Sequence, residues 1–222
     1  MSGAPASGAF ARVADAFGLV VLLVLATYVT ASLTRYSGWG AVATVALGAT
    51  GAVVALATSR AKRRTVHVAA VIGIASLALA LTAELAERSG FLAAAALAQF
   101  VLMLAATASV LRAVISESRV TFRTILGAIS VYLIFGLLFT SLYVAVDRLQ
   151  DGPFFASGGG DGTGDFIFFS FTTLTTTGYG NLVPGEQPGK MFAGLEMLLG
   201  QIFLVTLIAG LVSAWRPRHR SA

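Results

Sequence analysis

The chain has 222 residues, of which 57% are hydrophobic and only 11% charged. An ordinary soluble domain carries roughly 25% charged residues, so a soluble globule is excluded, and the mean hydropathy of +0.85 says the same. Zero cysteines remove disulfide frameworks, thiolate nucleophiles and Cys-type metal sites. The net charge of +5 sits between apolar blocks, where it reports membrane orientation rather than binding to nucleic acid.

A membrane helix needs about 20 apolar residues. In chain order, the expected spans are Ala16–Leu33, Trp39–Ser59, Val66–Ala83, Gly90–Leu111, Thr124–Val146 and Met191–Trp215. The first five carry no charge if His67 is counted neutral, and the sixth carries only Glu196. Only Arg12 precedes Asp15 ahead of the first run, which reads as a retained span rather than a cleaved signal. Between the fifth and sixth spans lies Phe166–Thr177, too short to cross, which predicts a re-entrant segment. The expected fold is therefore an all-α integral membrane protein, six helices with a re-entrant loop between the last two.

Arg12, Arg60, Lys62, Arg63, Arg64, Arg112, Arg119, Arg123, Arg216, Arg218 and Arg220 fall on one side of these spans. Arg35, Arg88, Arg148 and Lys190 fall on the other. The excess predicts cytoplasmic N- and C-termini in a multi-pass cell-membrane protein, with the re-entrant segment entering from outside. Helices 1 to 4 are rich in Ala, Gly, Ser and Thr, whereas larger Phe, Leu, Ile and Tyr prevail from Phe122 onward. This divides the chain into a four-helix bundle at 1–118 and a two-helix unit with the re-entrant loop at 119–222. The Gly- and Asp-rich linker Asp147–Asp165 reads as an exposed, mobile extracellular turret.

The informative stretch is Asp165–Pro184, DFIFFSFTTLTTTGYGNLVP. An apolar, Thr-rich segment runs straight into Thr176, Thr177, Gly178, Tyr179 and Gly180. Backbone carbonyls can replace the water shell of an ion only if successive residues hold unusual dihedrals, and two glycines supply that freedom.

Over residues 119–215 the sequence resembles the potassium channel pore family. Thr176, Gly178, Tyr179 and Gly180 match its filter signature, with Thr177 at its Val/Ile/Leu position. The resemblance implies that K+ is held by Thr176, Thr177, Gly178 and Tyr179, behind a pore helix at Phe166–Thr175. It implies a pore mouth at Asn181, where the family usually has Asp. Phe168, Phe169 and Thr172 take the filter-supporting positions, and Gly200 that of the inner-helix hinge. Gln201, Leu204 and Ile208 would line the inner cavity. The whole looks like small bacterial six-helix, single-pore-loop potassium channels with no cytoplasmic domain.

Glu196 costs roughly 2.5–3.5 kcal/mol or more if it faces lipid, so it is expected to face protein, with Thr172 or Thr173 as hydroxyl partners in filter support. Gly90–Leu111 contains neither Arg nor Lys, so helices 1 to 4 are no arginine-ladder voltage sensor. His67 and His219 read as interfacial and lack acidic neighbours at metal-ligand spacing. No Gly-x-Ser-x-Gly stretch occurs, and neither His sits near a candidate nucleophile, so no enzyme is expected. A filter needs four strands around an axis and the chain supplies one, so the expected protein is a homotetrameric K+-selective channel. It would need no cofactor beyond the permeant ion, and its partners are the bilayer and three copies of itself. The competing reading is a weakly conducting or non-conducting membrane interaction subunit on a channel-like scaffold.

Overall fold

A computed structural model describes residues 7–34, 38–86, 89–117, 120–158 and 162–214. They form α1 (Ser7–Leu33), α2 (Gly38–Thr58), α3 (Arg63–Ala86), α4 (Ser89–Ile115), α5 (Phe122–Leu149), α6 (Thr163–Leu174) and α7 (Gly189–Phe203). A wider π-helical turn, Leu204–Ile208, then joins α7 to α8 (Ala209–Ala214). No hydrogen-bonded β-strand occurs among the described residues, the strand that follows α6 being extended backbone alone; an isolated bridge pairs Phe155 with Pro184.

Five helical stretches are long and apolar enough to cross a bilayer: Gly38–Thr58, Arg63–Ala86, Gly90–Ile115, Phe122–Leu149 and Gly189–Leu207. In α1 the apolar part, Phe17–Leu33, is shorter. The chain is thus an all-helical, multi-pass membrane protein. The expected domain boundary at 118/119, together with Arg119, Arg35, Arg88, His219 and the arginines after Trp215, lies outside the described residues.

The first helices pack through small residues, which let backbones approach where lipid offers no hydrophobic driving force. Gly48, Ala49, Gly51, Ala52 and Ala55 are buried on α2. On α3 the buried residues are Ala69, Gly73, Ser76 and Ala80, spaced four, three and four apart along one face. A Cβ at Gly73 would stand 3.3 Å from the Ala49 Cβ, so these two helices are already at contact distance. His67 is exposed and its Nδ1 lies 2.7 Å from the Arg63 carbonyl of its own helix.

α5 starts at a capping box: Thr121 Oγ1 accepts from the Thr124 N–H, and Thr124 Oγ1 accepts from the Thr121 N–H. It packs against α4 and α1 and presents its remaining faces to α6 and α7. Arg123, the second residue of α5, is fixed by a hydrogen bond from its guanidinium to the Thr58 carbonyl (3.3 Å) and by the Phe17 ring 5.4 Å away.

The linker after α5 departs from the sequence expectation. Phe154 and Phe155 are 2% and 0% exposed. They dock among Tyr143, Phe166 and Phe169 with ring centroids between 4.9 and 6.1 Å apart. The glycine-rich composition concealed two aromatic side chains, each with about 150–250 Å² to bury. What reads as a turret is an anchored loop; residues 159–161 are outside the described set.

Candidate functional site

The site is built where α6 ends. Its last residue, Leu174, is fully buried, and the Leu174 carbonyl accepts a hydrogen bond from the Tyr132 hydroxyl of α5 at 2.9 Å. Gly200 of α7 meets the same carbonyl from the other side, since a Cβ there would lie 2.8 Å from the Leu174 oxygen. Gly200 therefore permits a close approach of α7 to the end of α6. It lies within regular α-helix, and the departure from α geometry comes four residues later, at Leu204–Ile208.

The chain unwinds from α6 in stages. Thr175 N–H still reaches the Phe171 carbonyl (3.0 Å) and Thr176 N–H the Thr173 carbonyl (3.0 Å). The Thr172 carbonyl then accepts from both Thr177 N–H (2.9 Å) and Gly178 N–H (3.1 Å). From there φ is positive at alternate residues: +59° at Thr176, +53° at Gly178 and +79° at Gly180, but not at Thr177 or Tyr179. Alternating hand aligns successive N–H groups on one side of a strand, and so their carbonyls on the other. Thr176 is β-branched, and such residues rarely occupy this region, which is local strain of the kind functional sites hold. Thr175–Asn181 are all exposed. The C-terminal end of α6, carrying roughly half a negative charge, points into the start of this strand.

Beyond Asn181 the chain is tied down again. The Val183 carbonyl accepts from Ala156 N–H and the Phe154 carbonyl from Gly185 N–H, each at 2.9 Å. Behind the strand, the Tyr179 ring stacks on Phe168 at 5.7 Å and 14°, and Phe169 is buried in the aromatic group of the linker.

Glu196 is completely buried, facing protein as expected, but with different partners. Tyr143 of α5 donates to its Oε2 at 2.6 Å and Ser170 of α6 to its Oε1 at 2.6 Å. The Ser170 hydroxyl also lies 2.8 Å from the Gly136 carbonyl of α5. One carboxyl thus joins three helices. Thr172 and Thr173 do not take part: Thr172 Oγ1 donates to the Phe169 carbonyl of its own helix (3.0 Å), and its role at the strand belongs to its carbonyl. Tyr132, Tyr143, Ser170, Phe154 and Phe155 were not singled out from sequence. A serine within the apolar run of α6 and two tyrosines inside a span were the available signals, because hydroxyls there need partners.

Gln201 is exposed and Leu204 half-buried; the side chain of Ile208 lies outside the described residues. These three do not continue one α-helical face, because the wide turn intervenes between Leu204 and Ile208. Among the described residues no group of His, Cys, Asp or Glu could hold a metal ion; the ligands available to a cation here are backbone carbonyls and threonine hydroxyls.

Residues 127–216 match a family model described as an ion channel. No curated protein matches the chain, and no solved structure does. The matched stretch takes in α5, α6, the alternating strand, α7 and the wide turn. Over residues 127–216 the chain carries an ion channel domain, and there its resemblance to the potassium channel pore family stands.

Proposed function

We propose that the protein is a homotetrameric channel that passes K+ selectively through four copies of Thr176–Gly180 around a common axis. The observation that carries this reading is the alternation of positive and negative φ along an exposed strand that continues from the end of α6. A row of carbonyls on one edge of one chain cannot surround an ion. Four rows related by a closed rotation can, and they replace its hydration shell with fixed oxygens. α6 is then a re-entrant pore helix whose C-terminal dipole favours a cation.

Assembly would also cover the free face of α7. Met191, Leu195, Leu198 and Ile202 are all exposed, and their spacing of four, three and four places them along one helix face. Arg60, Lys62, Arg63, Arg64, Arg112 and Arg123 gather at the end of the bundle away from the strand, which favours a cytoplasmic position for that end and an external mouth at Asn181.

Purified protein in liposomes tests the reading, with K+ and Na+ flux measured in parallel and the mass of the complex measured in detergent. A tetrameric mass with K+ flux far above Na+ flux supports it. Equal flux of the two ions, or no flux from a tetramer, overturns selectivity or conduction respectively.

A further inference from the structure

We infer that the helical bundle holds a binding site for a small uncharged alcohol, open at the strand end of the molecule and independent of the conduction path. A cavity of about 50 Å³ lies among α1, α2, α4 and α5. That is room for on the order of four water-sized groups. It runs from Leu92 down to Met103 on α4, eleven residues of helix or about 16 Å. Residues at its upper end (Ala41, Leu92, Thr163) are partly exposed, whereas Gly48, Gln99 and Met103 at its lower end are buried. The cavity is therefore a blind pit with one mouth.

Its chemistry is specific. No charged side chain lines it, and half of the lining residues are Ala, Val, Leu and Met; an ion would have to shed its hydration there without a counter-charge. Five hydroxyls line it: Thr163 at the mouth and four deeper ones, each of which has already given its proton to its own helix. Thr27 donates to the Leu23 carbonyl, Thr44 to Gly40 and Thr140 to Gly136 at 2.7 Å each, and Ser141 to Leu137 at 2.9 Å. Toward the cavity these four can only accept.

Gln99 supplies the opposite sign. It is 5% exposed and its Oε1 lies 3.4 Å from Ser76 Oγ; its Nε2 makes no hydrogen bond among the described residues, yet is not one of the fully enclosed orphaned atoms. That Nε2 occupies the space left by Gly48, where a Cβ would stand only 2.5 Å away. Thr44 is one turn above Gly48 on α2. A single hydroxyl bound there can accept from Gln99 Nε2 and donate to a threonine oxygen, and its alkyl body meets the apolar wall. An ether can do only the first.

The position joins the bundle to the ion channel domain. Thr140 shares the Gly136 carbonyl with Ser170 of α6, and Thr163 at the mouth is the first residue of α6.

The test uses the intact chain in nanodiscs, a four-carbon alcohol bearing a diazirine, and mass spectrometry to locate the crosslinks. Crosslinks are expected at Met103 and Leu137, and n-butanol should displace them about fivefold better than its isomer methyl propyl ether, the difference one added hydrogen bond makes. Gln99→Leu should erase that preference. Crosslinks confined to lipid-facing residues such as Val71 and Ile74 mean the cavity holds water only and overturn the site. Equal displacement by alcohol and ether, which wild-type protein alone decides, overturns the assignment to a hydroxyl. A folded Gln99→Leu chain that keeps the preference overturns the role of the amide. None of these readouts depends on ion flux, so conduction can fail while the site stands.

Discussion

Tyr143→Phe removes one oxygen from the fully buried cluster on Glu196 and leaves everything else in place. The ring stays against Phe169 and Phe154, whose centroids are 5.1 and 5.3 Å away, so no cavity forms. Glu196 Oε2 loses the hydroxyl that donates to it at 2.6 Å, and Oε1 keeps Ser170. A buried polar group left without its partner costs about 1–3 kcal/mol, and that is the expected loss in equilibrium unfolding by denaturing detergent in mixed micelles. The decisive comparison is a double-mutant cycle with Glu196→Leu. Removing both polar groups should cost less than the sum of the single changes by about 1 kcal/mol, because neither is then left unpaired. Ser170 still has the Gly136 carbonyl at 2.8 Å. Single changes that add within about 0.3–0.5 kcal/mol would refute the assignment of Tyr143 and Glu196 to one interacting unit.

Gly178→Ala should abolish the preference for K+ over Na+ in liposome flux, because φ of +53° costs a residue with a Cβ roughly 1–2 kcal/mol and the strand would turn that carbonyl away. Gly200→Ala should lower K+ flux while Gly194→Ala does not: an added Cβ at Gly200 strikes the Leu174 carbonyl, whereas nothing lies within 4 Å at Gly194. Asn181→Asp should raise single-channel conductance at low salt, and the gain should shrink as ions screen the added charge over a Debye length of about 10 Å at 0.1 M. Open probability should vary only shallowly with voltage in bilayer recordings, since Ser89–Leu111 of α4 carries no Arg or Lys and each charge crossing the field is worth about 2.3 kcal/mol per 100 mV.

The spans were legible because their signal is long runs without charge, and structure and sequence place α2 to α5 within a few residues of each other. The strand was legible for a different reason: Gly178 and Gly180 stand where positive φ is needed, and few other residues tolerate it. What stayed hidden depends on partners far apart in sequence. Tyr143, Ser170 and Glu196 meet across 53 positions, and no local pattern tells which hydroxyl will reach a buried carboxyl. Phe154 and Phe155 were masked by their glycine-rich neighbours, since composition averages over exactly the residues that differ. The wide turn at Leu204–Ile208 has no sequence mark at all; LVTLI reads as ordinary helix.

The anchored linker gives the strand two abutments. One is the Leu174 carbonyl, pinned by Tyr132 and roofed by Gly200; the other is the splice of Phe154–Ala156 onto Val183–Gly185. Between them the backbone is strung like a short cable over an open edge, and its tension is set by how far apart the abutments stand. Phe154 and Phe155 pack directly on the helix that carries the first abutment, through Phe166 and Phe169. Because close-packed interiors transmit strain rather than absorb it, the linker and the first support are mechanically coupled through these rings, and the spacing of the two abutments depends on both.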